Sequence, residues 1–278
     1  MTTVAAQADL YRRSIKRRPG TEVVCEYVFR PAAQLVVLAL RPLHVAPPTV
    51  VLANAACGLA AAGAIARGNL LAGALLLQAK TLLDNADGQL ARATGRTSVL
   101  GRYLDSESDL VVNAAVLAAV GSYLGKPWLA LAAFVVLTLV LSFDFDLERL
   151  YRRERGDDRD PAPPATGRLA AALAWIYAAV YGSQDRLIER FVDRRLRGAS
   201  REQRLAYHDR ATLQILANFG LSTQLAVLGV CLAVGRPEIY FYVVLGCGAA
   251  VVLLLLRRER LARRAGRRST HQEVRSAG

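Results

Sequence analysis

Four aspartates lie close together in a chain that is otherwise strongly apolar. They form two pairs, Asp84 with Asp87 and Asp105 with Asp109, inside the segment DNADGQLARATGRTSVLGRYLDSESD. Residues three or four apart share one face of a helix, so each pair is predicted to present two carboxylates from one helix face. The stretch ATGRTS between the pairs contains turn residues and can reverse the chain. Two helix ends are therefore expected to hold four carboxylates opposite one another.

Four carboxylates in a medium of low dielectric constant need cations to remain ionised. Ligands that offer only oxygen favour Mg²⁺ or Mn²⁺ over zinc. Two such ions held a few ångströms apart typically clamp a phosphate and stabilise its entering and leaving oxygens. The alternative is that these are solvated acids at headgroup level that balance nearby arginines. Because ionisable residues within a membrane span are costly, the metal site is the better interpretation.

Small and basic residues accompany the aspartates on the same helix faces. Gly88 and Ala91 follow the first pair, and Gly101 lies one turn before the second. Their small size is expected to leave room for a bulky ligand beside the carboxylates. Arg92 could donate two hydrogen bonds to phosphate oxygens. The motif therefore predicts a site for a metal-bound phosphate compound.

The elements that must position these residues are predicted to be membrane-spanning helices. The chain has 278 residues, 53% of them hydrophobic, and a formal net charge of +13. A helix needs roughly 20 apolar residues to cross a bilayer. Six segments qualify or come close, and they predict an all-α integral membrane protein: Thr49–Ala66, 69–88, Gly101–Gly125, Pro127–Phe143, Ala211–Gly235 and Glu238–Leu256.

Lys and Arg residues predict the orientation of these six spans. If the spans alternate, 32 of the basic residues fall on one side, three fall on the other, and Lys80 lies within the second span. An excess of basic residues marks the cytoplasmic side. Both termini are therefore predicted to be cytoplasmic, in the inner membrane, with the active site facing the cytoplasm. Two apolar runs are too short to span and are expected to lie at the interface: Pro31–Leu40 and Leu169–Tyr181.

This arrangement divides the chain into three predicted parts. Residues 1–48 form a basic segment with an interfacial helix, residues 49–256 form the six-span domain, and residues 257–278 form a basic tail. Within the domain, residues 147–210 are predicted to be an arginine-rich cytoplasmic linker. A nucleic-acid-binding protein carries its basic residues on the surface of a polar fold. Here the basic residues lie between apolar runs, so nucleic-acid binding is not expected.

The aspartate segment resembles the signature of the CDP-alcohol phosphotransferases, also called CDP-alcohol phosphatidyltransferases. The matching string is Asp84-x₂-Asp87-Gly88-x₂-Ala91-Arg92-x₈-Gly101-x₃-Asp105-x₃-Asp109, and every fixed position is present. The six-span prediction also suits that family. Many members begin the first span with Pro-Asn followed by Thr, whereas this chain has Pro48 and Val51 at those places. Asn54, one turn further, could substitute.

The resemblance implies a reaction and a role for each motif residue. Members move a phosphatidyl-type group from a CDP-linked donor, most often CDP-diacylglycerol, to a small alcohol and release CMP, a step of phospholipid biosynthesis. By this resemblance, two Mg²⁺ ions would be held by the four aspartates, and Asp109 would also be the general base. The CDP site would be lined by the remaining motif residues, which are Gly88, Ala91, Arg92 and Gly101.

Several alternatives remain open at this point. Inositol phosphate and glycerol 3-phosphate are the first guesses for the acceptor, because arginines crowd the predicted cytoplasmic side, and serine or another uncharged alcohol is not excluded. A divalent-cation transporter is a rival interpretation, but it would need polar groups near the midplane of several helices. A catalytically inactive, lipid-binding relative is another. Small residues in spans one and six permit a homodimer without requiring one.

Overall fold

The computed structural model describes residues 4–16, 18–157 and 168–276, and this part of the chain is helical and contains no strand. The all-α prediction is therefore confirmed. A π-helical turn, Cys25–Phe29, precedes the second helix, and a 3₁₀ turn, Arg41–Leu43, follows it. The α-helices are, in chain order, α1 (Val4–Ser14), α2 (Arg30–Leu40), α3 (Pro47–Ala66), α4 (Leu70–Thr94), α5 (Val99–Tyr123), α6 (Pro127–Glu154), α7 (Arg168–Arg195), α8 (Arg201–Tyr207), α9 (Arg210–Ala217), α10 (Leu221–Ala233) and α11 (Glu238–Ser276).

Four helical stretches of the described chain are long and apolar enough to cross a membrane: Pro47–Ala66, Pro127–Glu154, Arg201–Ala233 and Glu238–Arg267. A chain with several such stretches is a multi-pass membrane protein. α4 and α5 coincide with the second and third predicted spans, and each has 25 residues. They carry the aspartates and other polar residues, and they are not among the four. The six-span topology and the side on which each terminus lies remain predictions.

The helices α3, α4 and α5 pack closely and hold the aspartate segments together. α3 contacts both α4 and α5 along its length. Gly58 of α3 faces Val112 of α5 so closely that a Cβ atom at Gly58 would lie 2.3 Å from Val112 Cγ1. Ile65 and Leu77 are fully buried in the same apolar cluster. This packing fixes the relative position of the two helices that carry the motif.

The predicted fifth span, Ala211–Gly235, is broken into two helices. α9 ends at Ala217, and α10 begins at Leu221. Glu22 explains the break, because its Oε1 accepts hydrogen bonds from the backbone nitrogen (2.8 Å) and hydroxyl (2.9 Å) of Thr223 in the first turn of α10. A Cβ atom at Gly220 would lie 2.6 Å from Glu22 Oε2, so glycine there admits the carboxylate. Burial raises the pKa of Glu22, an effect that the bonds to Thr223 oppose.

The second predicted interfacial run, Leu169–Tyr181, is part of a longer helix. α7 has 28 residues and packs against α5 and α6. Beyond the run, Ile188 and Val192 are buried at helical spacing, and Val192 shares an apolar cluster with Leu147 and Leu150 of α6. A large part of the predicted linker 147–210 is therefore helical and packed. The proline-containing stretch of that linker, 158–167, lies outside the described residues.

The predicted basic tail continues the last long helix. α11 runs from Glu238 through the apolar span to Ser276. Arg258, two residues past the end of the apolar stretch at Leu256, is 1% exposed. Its Nε donates to the Tyr207 carbonyl over 2.6 Å, and its guanidinium lies 4.3 Å from the centre of the Tyr207 ring. The start of the basic region is thus packed against α8.

Candidate active site

The two aspartate pairs are brought together by a short reversal of the chain. α4 ends at Gly95, whose φ of +67° is a left-handed conformation that glycine adopts readily. The Ser98 side chain then caps α5 by accepting a 3.0 Å hydrogen bond from the backbone nitrogen of Gly101. The local sequence, with glycine at the end of one helix and serine at the start of the next, therefore produces the predicted reversal.

Three of the four aspartates form a compact cluster. Ligand oxygens of Asp84, Asp105 and Asp109 all lie within 4.8 Å of one another. Asp87 is outside this trio, but it lies one turn after Asp84 and lines the same cleft. The geometry therefore places two carboxylates of α5 against one of α4, with the fourth beside them.

The cluster fits a divalent metal on two observations. Asp87 is 6% exposed, and its Oδ2 and the Oδ1 of Asp105 are buried with no hydrogen-bond partner within the described chain. Buried carboxylate oxygens without partners are costly unless a cation meets them. The donors are all hard oxygen atoms, which suit Mg²⁺ or Mn²⁺. The identity of the metal stays a prediction.

Two further side chains contact the aspartates. Lys80 is 0% exposed, and its Nζ lies 3.3 Å from Asp84 Oδ1 and 2.5 Å from Asp109 Oδ1. Asn54 of α3 is 1% exposed and donates from Nδ2 to Asp84 Oδ1 over 2.9 Å. Asn54, which could substitute for the Asn of the family pattern, therefore contacts the aspartate cluster. The spacing of four residues between Lys80 and Asp84 suits an ion pair along one helix, whereas Asp109 is 29 residues away in the chain.

A cleft of about 970 Å³ opens beside the cluster. Gly88 adjoins the Arg92 side chain, and a Cβ atom added at Gly88 would lie 3.1 Å from an Arg92 guanidinium nitrogen. Asp109 does not line the cleft and reaches the site through its cluster with Asp84 and Asp105. The other seven predicted site residues all line the cleft: Asp84, Asp87, Gly88, Ala91, Arg92, Gly101 and Asp105.

Six basic side chains line the cleft together with the acidic ones. Arg18 and Arg30 are held by carboxylates, Arg18 by Asp144 and Glu148 and Arg30 by Glu26. Although burial alone would lower it, the pKa of Arg18 is raised by the charges of its two partners. The basic side chains that line the cleft are Lys16, Arg18, Arg30, Arg92, Arg96 and Arg102.

Three of these basic residues precede the first predicted span and were missed as site residues. Lys16, Arg18 and Arg30 lie in the segment that crosses the cleft, which is anchored where the Ser14 carbonyl accepts a hydrogen bond from Arg92 Nε. Among the described residues, the side chains of Lys16, Arg96 and Arg102 form no ion pair. The only local signal was the basic run RRSIKRR at positions 12–18.

Comparison with known proteins gives two matches. The sequence model of the family described as CDP-alcohol phosphatidyltransferase matches residues 44–191, which include the whole aspartate motif. A protein of Aquifex aeolicus (strain VF5), "Bifunctional IPC transferase and DIPP synthase", is 43% identical over 56 residues. That match covers 20% of this chain and only 13% of the relative. The similarity to that protein is therefore local.

Proposed function

This chain belongs to the CDP-alcohol phosphatidyltransferase family, and from that premise we propose that it transfers a phosphatidyl group from CDP-diacylglycerol to a small phosphorylated alcohol. The products are a phospholipid and CMP. The observation that carries the proposal is the convergence of the motif: seven of its residues line one cleft, and Asp109 lies within 4.8 Å of Asp84 and Asp105.

The aspartates would hold the metal that the family uses. Asp84, Asp87, Asp105 and Asp109 would bind two Mg²⁺ ions, or Mn²⁺ in their place. When bound, such ions neutralise the pyrophosphate and the departing CMP. Gly88, Ala91 and Gly101 keep side-chain volume away from the nucleotide, and Arg92 adds a positive charge to that wall of the cleft.

Asp109 is proposed to take the proton of the acceptor hydroxyl. The acceptor oxygen forms a bond to the phosphorus that carries diacylglycerol, while the bond from that phosphorus to the bridging oxygen of CMP breaks. The released proton passes to the Asp109 carboxylate. A positioned general base of this kind typically contributes 10²–10⁴-fold, on the order of 3–5 kcal/mol.

The basic side chains of the cleft support a phosphorylated acceptor such as inositol phosphate or glycerol 3-phosphate. Lys16, Arg96 and Arg102 line the cleft, and within the described chain none of them pairs with a carboxylate. A phosphate on the acceptor would supply the missing anion. An uncharged alcohol such as inositol, glycerol or serine would leave these charges unmatched.

The proposed setting is the cytoplasmic membrane, with six spans and both termini in the cytoplasm. α4 and α5 would then enter the bilayer from the end that carries the aspartates. The motif lies at the adjoining ends of these two helices. In this orientation the lipid tails of the donor could remain between helices while the cytidine and the acceptor stay in water.

The test is CMP release by the purified protein in liposomes with Mg²⁺ and CDP-diacylglycerol. The panel of acceptors pairs each phosphate with its parent alcohol: inositol phosphate with inositol, and glycerol 3-phosphate with glycerol. We expect release with one phosphorylated acceptor, and a loss of at least about 100-fold in Asp109→Asn. Asp9→Asn, which alters an exposed ion pair with Arg13, is the matched control and should retain activity.

Two results would count against parts of this proposal. Equal rates with a phosphate and its parent alcohol would remove the role assigned to Lys16, Arg96 and Arg102. No CMP release with any acceptor, from protein that binds Mg²⁺ and CDP, would overturn the choice of CDP-diacylglycerol as the donor.

A further inference from the structure

Lys80 is the one positive charge that the described chain places inside the aspartate cluster. Its ammonium group contacts α4 through Asp84 Oδ1 at 3.3 Å and α5 through Asp109 Oδ1 at 2.5 Å. The side chain is 0% exposed, so water does not screen these contacts. A buried ammonium is costly unless it is paired, and here two carboxylates share it. Lys80 therefore joins the two helices at the site itself.

The charges of the cluster make this lysine consequential for metal binding. Four ionised aspartates carry four negative charges, and Lys80 reduces the total to three. Two divalent cations would then give the occupied site an excess of one positive charge, whereas without the lysine they would balance it. Charges within a few ångströms in a buried site interact by several kcal/mol, even at an effective dielectric constant near 20.

We propose that Lys80 is a resident counter-cation that holds Asp84 and Asp109 in position before metal binds and weakens the affinity of the site for divalent cations. The excess positive charge is matched only when an anionic donor arrives. Metal and nucleotide therefore bind cooperatively, and the cooperativity depends on Lys80. The link to the donor rests on the function proposed above, whereas the effect on metal affinity does not.

The primary measurement is Mn²⁺ binding to the purified full chain, followed by the electron paramagnetic resonance signal of free Mn²⁺. Lys80→Met removes the charge with little change in length. We expect it to bind Mn²⁺ at least about 10-fold more tightly than the wild type, because a repelling cation is gone and the aspartates have lost their other partner. Lys80→Arg keeps the charge and should stay within about threefold of the wild type.

This result separates a charge effect from a structural one. If Lys80 only braced the two helices, Lys80→Met would loosen the site and bind Mn²⁺ more weakly. Unchanged or weaker binding by Lys80→Met would therefore overturn the proposal, as would an equal change in Lys80→Arg. If Lys80→Met requires Mn²⁺ to fold, its melting temperature should rise more steeply with Mn²⁺ concentration than that of the wild type.

The second measurement repeats the titrations with saturating CDP. CDP should strengthen Mn²⁺ binding in both proteins, and by at least about threefold more in the wild type than in Lys80→Met. By linkage, Mn²⁺ should strengthen CDP binding by the same factor. If CDP strengthened Mn²⁺ binding by the same factor in the wild type and in Lys80→Met, the proposed role of Lys80 in cooperative binding would be refuted. Because both readouts are binding measurements, they stand even if CMP release fails, and that failure would concern only the proposed reaction.

Discussion

Arg18 forms a 2.6 Å ion pair with Asp144, although 126 residues separate them in the chain. The same guanidinium contacts Glu148 one turn further along α6 at 2.5 Å. These contacts fasten the N-terminal segment to α6, and Arg18 lines the same cleft as the aspartate motif. Asp144 is 7% exposed, so the pair lies in a poorly solvated place. The segment before the first predicted span is thereby part of the wall of the site.

Replacing Arg18 by alanine is expected to destabilise the protein by about 3 kcal/mol, because it leaves the poorly solvated Asp144 carboxylate without its cation. Glu148 keeps its ion pair with Arg152. The measurement is thermal unfolding in detergent, together with limited proteolysis of the N-terminal segment, which should become more susceptible. Arg13→Ala is the matched control. Arg13 forms an exposed pair with Asp9, and its loss should change stability by less than about 1 kcal/mol. If Arg18→Ala and Arg13→Ala lowered stability equally, Arg18 would not be the residue that anchors the N-terminal segment.

Asn54→Ala is expected to weaken the affinity of the site for metal without removing a ligand. Asn54 orients Asp84 by a 2.9 Å hydrogen bond from α3, and partners of metal ligands typically contribute about 10–100-fold to metal affinity or activity. We expect the Mg²⁺ concentration for half-maximal CMP release to rise about 10-fold.

The control for Asn54 is Asn69→Ala at the opposite end of α4. Asn69 caps that helix by accepting from the Ala72 nitrogen over 3.2 Å, so its loss should cost about 1 kcal/mol of stability. The Mg²⁺ dependence should stay as in the wild type. If the Mg²⁺ concentration for half-maximal CMP release rose equally in both variants, general destabilisation would explain the change, and not the contact of Asn54 with Asp84.

The aspartate site could be predicted because its signal is local. The pairs are three and four residues apart, and the intervening turn residues are consecutive, so spacing alone predicts which carboxylates share a face. The helical fold was similarly accessible through the length of the apolar runs. In both cases the signal lies within one continuous stretch of the chain.

What the sequence left open depends on residues far apart in the chain. Glu22 caps α10 from 201 residues away and breaks the predicted fifth span. Lys80 reaches Asp109 on a different helix. Asp144 pairs with Arg18, which lies 126 residues earlier in the chain. Periodicity and spacing carry no information on which distant side chain will approach, so such contacts required the three-dimensional structure.

Removal of divalent cations is expected to abolish CMP release and to lower the melting temperature. Without metal, the buried oxygens of Asp87 and Asp105 have no partner, and the repulsion among the carboxylates destabilises the fold. Treatment with EDTA should lower both quantities, and Mg²⁺ or Mn²⁺ should restore both. Ca²⁺ should restore activity poorly because it prefers longer bonds and more ligands. Full activity in EDTA would contradict a metal-dependent site.

Gly58→Ala is expected to disturb the site through the close contact of α3 with α5. The new methyl group would lie 2.3 Å from Val112 Cγ1, and Val112 is 1% exposed, so the side chain has little space to move. Overpacking of this kind typically costs about 1–3 kcal/mol. Val112 lies one turn after Asp109, so a displacement of α5 would also move a proposed catalytic carboxylate.

The loss of activity in Gly58→Ala should therefore exceed what lower stability explains. A shift of about 1 Å in a catalytic group can cost about 100-fold in rate, and we expect CMP release to fall at least 10-fold at temperatures where the protein is still folded. Gly63→Ala is the matched control on the same helix. Its added methyl group would meet only the flexible end of Arg67, at 3.3 Å, and alanine stabilises a helix interior by about 0.5–1 kcal/mol. If the Gly58 variant kept full activity, the close contact of α3 with α5 would not be what positions Asp109.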